Sequence, residues 1–115
     1  METDGKIKIK DKCQIINREY QIVFSKEMLR SAEARAQADH VMQVIRLAHL
    51  RPDVQKFEHL IHEILESIQD CLSLDFSHET IIAISPVIVQ ALMSLGIEID
   101  FSQIPKEVIE VEPSA

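Results

Sequence analysis

The chain has 115 residues, a formal net charge of −7 and nearly half its residues apolar, which fits a single domain over 1–115 with one core, residues 1–5 and 106–115 being read as flexible ends. The charge is uneven: residues 1–52 carry ten Lys/Arg against seven Asp/Glu, and residues 53–115 carry two against twelve. Phosphate binding needs a basic surface, so the acidic half excludes nucleic acid as an expected partner and favours a protein partner or a second copy in a homo-oligomer. No window approaches the ~20 apolar residues of a membrane span, and the lysine-rich start lacks the apolar stretch of an export leader. Cys13 and Cys71 stand alone, a pattern of free thiols in a reducing, cytoplasmic compartment.

In chain order, Lys6-Ile7-Lys8-Ile9-Lys10 alternates with period two, as does part of 20–24, predicting a β-hairpin over 6–24 with its turn at Asp11-Lys12 or Asn17-Arg18. Ser25 is placed to cap a helix with Glu27 in its first turn. That helix is predicted over 26–50, with Ala34, Ala38, Val41 and Ile45 as a small-residue stripe for a neighbouring helix. Arg51-Pro52 ends it, because a residue before proline leaves the helical region and proline suits a first helical position.

The strongest pattern follows. Val54, Phe57, Ile61, Ile64, Ile68 and Cys71 recur at spacings of three and four, one apolar stripe along a helix over 52–72. The two long helices are then expected as an antiparallel hairpin. The β-branched residues of 80–84 suit a strand, whereas Ser77 and Glu79 suggest a helix start, and a short helix is the favoured reading; a restart at Ser85-Pro86, stopped by Gly96, completes the helices. The segment 86–95 is almost wholly apolar and is expected to be buried. Leu72-Ser73-Leu74-Asp75-Phe76-Ser77 is echoed by Ile97-Glu98-Ile99-Asp100-Phe101-Ser102, read as a repeated way of leaving a helix, or as two strands that pair together or with the N-terminal hairpin. The expected fold is mainly α with a small N-terminal β-hairpin (α+β): a helical hairpin plus short C-terminal helices, in effect a small helical bundle.

The chemistry-bearing residues are few. His59, His62, Glu63 and Glu66 fall on one arc of the second helix and are the metal-ligand candidates. Their order departs from the zincin motif and its inverse, and a solvated face with Glu and His at i,i+4 is the preferred reading. With glycine only at Gly5 and Gly96, neither a nucleophile elbow nor a glycine-rich phosphate loop can form. No catalytic residue, cofactor or cofactor-binding residue is assigned.

The run Tyr20-Gln21-Ile22-Val23-Phe24-Ser25, with Leu29, Ala34-Arg35-Ala36-Gln37-Ala38, Val41, Ile45 and Pro52-Asp53-Val54, resembles the late part of the portal, or head-to-tail connector, proteins of short-tailed phages. The resemblance spans about residues 20–54. It implies a strand leading into an alanine- and glutamine-bearing helix, a phage-derived structural role, and no functional residues. The expected function is a non-enzymatic helical protein–protein interaction or assembly module. An acidic regulator mimicking nucleic acid through Glu63, Glu66 and Asp70 is the alternative, and a metal-binding helical protein a further one.

Overall fold

Side chains that alternate between buried and half-exposed organise the N-terminal half. In the computed structural model, which describes residues 6–25, 36–48 and 52–106, six strands form: β1 (Ile7–Lys8), β2 (Lys12–Ile15), β3 (Arg18–Ser25), β4 (Ala36–Asp39), β5 (Val44–Ala48) and β6 (Ile99–Asp100). Two helices accompany them, α1 (Asp53–Leu72) and α2 (His78–Ser94). The strands β2-β3-β5-β4 make a four-stranded sheet, and β1 pairs with β6 in parallel as a separate two-stranded sheet. Within the larger sheet, β3 runs parallel to β5 with Ile22 opposite Ile45 and Phe24 opposite Leu47. All four of these side chains are buried, with Tyr20 beside them, as a period of two requires of a strand pair packed on one face.

The helix α1 packs across β2, β4 and β5, and α2 packs on α1. Because α1 lies between the sheet and α2, its buried line runs through Phe57, Leu60, Glu63 and Ser67. Of the expected stripe, only Phe57 is fully buried. Ile61, Ile64, Ile68 and Cys71 flank that line, half-buried against the core, and Val54 is exposed. The chain closes when β6 returns to β1 and Phe101 and Ile104 enter the core, with the Phe24 N–H donating to the Pro105 carbonyl at 2.9 Å.

These observations correct the expected fold. Over the described residues the fold is α+β, with two sheets and two long helices, and it is not a helical bundle or a mainly α chain with one hairpin. The helix predicted over 26–50 is contradicted at its described residues, which form β4 and β5 and the turn between them. Ala34 lies outside the described residues, and Ala38 and Ile45 lie on neighbouring strands as direct partners. Val41 sits in the turn, 90% exposed. The helical hairpin is therefore replaced by a strand followed by a helix.

The physical reason lies in turns made without glycine. Asp39 Oδ1 accepts the N–H groups of Val41 and Met42 at 3.1 and 2.9 Å, an Asx turn that reverses the chain, and Gln43 takes a φ of +58°. The N-terminal hairpin is β2–β3, turning at Ile16-Asn17 with Ile15 opposite Arg18, one residue before the later of the two expected positions. β1 belongs to a different sheet.

α2 is a single helix through Pro86 in place of the expected short helix and restart. Proline removes one backbone donor there, but its turn lies near the surface, and Ser85 Oγ donates to the Ile81 carbonyl at 2.7 Å. Gly96, at a φ of +91°, does stop it, its N–H and that of Ile97 reaching back to Met93 and Leu92.

Candidate functional site

Two features stand out from the scaffold, one apolar and one polar. Residues 80–95 carry no charged side chain, yet only Ile81, Ser85 and Val89 are buried. These three recur every fourth residue and face α1. Ile88 and Leu92 are half-buried beside them, and the other side chains point away: Ile82 is 51% exposed, Val87 60% and Leu95 76%. The expectation that 86–95 is buried therefore fails. α2 is an outer layer supported on one side, so a helix apolar nearly all round keeps an uncovered face. Beside its C-terminal end, Val54, Phe57, Met93, Ile97 and Ile99 line a groove of about 200 Å³, rimmed by Lys6, Asp53 and Glu98.

The polar feature lies at the opposite end of the helix pair. α1 ends with Ser73 in the left-handed region, its N–H bonded to the Gln69 carbonyl. Gln69 Oε1 accepts the Phe76 N–H at 2.9 Å, and Ser77 Oγ caps α2 by accepting the Thr80 N–H at 3.1 Å. This short, pinned connection sets His78, the first residue of α2, over α1. Its Nδ1 is 2.8 Å from Glu66 Oε2, which is also 3.3 Å from His62 Nε2. The two imidazole rings meet edge to face at 5.1 Å.

Burial is the largest influence on His62 and pushes its imidazole down, while Glu66 pulls it the other way. Glu63 is buried and points elsewhere, with the Ala38 backbone among its hydrogen-bond partners. Desolvation, then the charge of Glu66, raise its carboxyl to about 7. Next along α1, Asp70 Oδ2 accepts from Arg18 Nη1 at 2.7 Å, a hydrogen bond that holds the Asp70 carboxyl below its usual range. Tyr20 Oη and His40 Nδ1 share a hydrogen bond at 3.0 Å. His40, Glu66, Gln69 and Asp70, with Ser73 and Leu74, line a polar cleft of about 360 Å³.

Of the four metal-ligand candidates, the structure brings His62 and Glu66 together. Glu63 turns into the core, and His59 is half-buried outside the cluster. The residue that completes the group, His78, comes from the second helix, whose start Ser77 and Glu79 mark in the sequence without placing it over the first helix. The carboxylates considered for a nucleic-acid mimic do not share one open surface: Glu63 is buried, Glu66 is held by two histidines and Asp70 by Arg18. Among the described residues, no helix is long and apolar enough to cross a membrane.

Comparisons of the chain with known protein families, with curated proteins and with solved structures find no match. None of them bears on the likeness of residues 20–54 to portal proteins.

Proposed function

We propose that the protein is a non-enzymatic protein–protein interaction module whose contact surface is the outer face of α2, covered in its working state by an apolar surface of another polypeptide. The observation that carries this reading is the uncharged run 80–95 with Ile82, Val87 and Leu95 exposed. Fully burying one such side chain yields about 1.5–3 kcal/mol, and contiguous apolar patches mark interaction surfaces in soluble proteins. Ala83, Gln90, Ala91 and Ser94, also exposed, keep the face low enough for an approaching helix. The groove of about 200 Å³ at its end offers an anchor point for an apolar side chain, with charged residues on the rim as interfaces have.

The test pairs light scattering across a wide concentration range with photo-crosslinking in cells from a reactive side chain at Gln90. A concentration-dependent rise to a defined mass identifies a second copy as the occupant, and a discrete heavier adduct identifies a different chain. Either must be lost in Val87→Lys while its circular dichroism stays that of the parent. A parent that is monomeric throughout and gives no discrete adduct overturns the proposal, as does a Val87→Lys variant that associates like the parent.

A further inference from the structure

We infer that His62, Glu66 and His78 form a binding site for a divalent transition-metal ion, with zinc the best match. Their ligating atoms lie within 4.8 Å of one another. Glu66 Oε2 stands 3.3 Å from His62 Nε2 and 2.8 Å from His78 Nδ1. Three ligands at zinc–nitrogen and zinc–oxygen distances of about 2.0–2.2 Å in a tetrahedral arrangement lie roughly 3.3–3.5 Å from one another. The His62–Glu66 separation already meets this. The remaining adjustment falls on His78, whose side chain is 66% exposed and can change rotamer without disturbing the core.

The other two donors are fixed in advance. His62 and Glu66 are one helical turn apart on α1, with side chains 18% and 23% exposed, so their backbone spacing is set by the helix itself. His78 is placed by the Ser77 cap and by the Gln69 bond to the Phe76 N–H. Neither of these devices depends on the cluster. Two imidazoles and one carboxylate suit a borderline-soft divalent ion, and three protein ligands leave one tetrahedral position for water or a small anion. Glu66 also lines the cleft of about 360 Å³ with His40, Gln69 and Asp70, so that position adjoins polar space. The site is at the end of the helix pair remote from the groove at Met93, and its failure would leave the interaction reading standing.

The experiment is calorimetric titration of the untagged protein with zinc chloride, followed by titration with cobalt(II) as an optical probe. The expected result is saturable binding of one ion per chain, visible cobalt bands of a four-coordinate nitrogen and oxygen site, and a thermal midpoint that zinc raises. His78→Ala, which alters an exposed side chain, and Glu66→Gln are expected to weaken binding about tenfold or more, and zinc should no longer raise the midpoint of His78→Ala. Absence of saturable binding overturns the inference. So does a His78→Ala variant that binds as tightly as the parent, or a thiolate charge-transfer band placing the ion on Cys13 or Cys71.

Discussion

Ile16 occupies the two-residue turn between β2 and β3 with a φ of +56°, in the left-handed region where a β-branched side chain is strained by about 1–2 kcal/mol. It is also 56% exposed, so little burial is lost on replacing it. Ile16→Gly is expected to stabilise the fold by about 1 kcal/mol, read as a higher urea midpoint at unchanged slope. Glu63 is a second costly residue. Its carboxyl is raised from 4.5 to about 7, chiefly by desolvation, with Glu66 adding to the rise and His78 and the Ala38 N–H opposing it. Between those two values the unfolded chain has released its proton while the native one keeps it, so stability falls as pH rises through the window and levels off above about 7. The full effect is about 3 kcal/mol. His62, pushed down by burial, acts in the opposite sense near its ordinary value, so the informative quantity is a difference. Denaturation of the parent and of Glu63→Gln from pH 4 to 8 in chelator should show the parent losing stability relative to the variant as pH rises.

At the scale of elements, α1 was legible because its apolar spacing fits a helix and no strand. The segment 36–48 was misread because Ala38, Val41, Ile45 and Ala48 also satisfy helical spacing, while the alternation that makes β5 a strand lasts only five residues. The deciding information lay in turns, and those turns use Asp39, Gln43 and Ile16 where glycine would have announced them. The candidate metal site was half legible for a related reason. His62 and Glu66 share a helix face at i,i+4, whereas His78 reaches them only through a tertiary contact that no local spacing encodes. The importance of Asp39 can be measured. Replacing it with Ala removes the acceptor for two backbone donors and is expected to cost about 1 kcal/mol, whereas Asp39→Asn, which keeps a side-chain oxygen, should lie within about half of that loss. Hydrogen exchange should show faster exchange at Val41 and Met42 in the Ala variant alone.

At the scale of the whole molecule, the repeated six-residue segments show how context separates two similar sequences that share the same final Asp-Phe-Ser. The first follows α1 and leads into the cap of α2, leaving Phe76 49% exposed. The second contains β6, which pairs with β1 (Ile7 opposite Ile99), and places Phe101 3% exposed against the core. The Phe101 ring lies 6.5 Å from that of Phe24, with the Lys56 ammonium within 5.5 Å of both ring centres. Phe101 therefore joins the C-terminal strand, the main sheet and the first turn of α1, three parts of the chain remote in sequence. Phe101→Ala should leave a cavity and cost about 3–5 kcal/mol, a large fraction of the stability of a domain this size. Phe76→Ala, at the equivalent place in the first copy, should change stability by about 0.5 kcal/mol or less. Urea denaturation of the two variants side by side checks this. Equal losses would mean that Phe76 is as well packed as Phe101, and that the α1–α2 connection carries core contacts of its own.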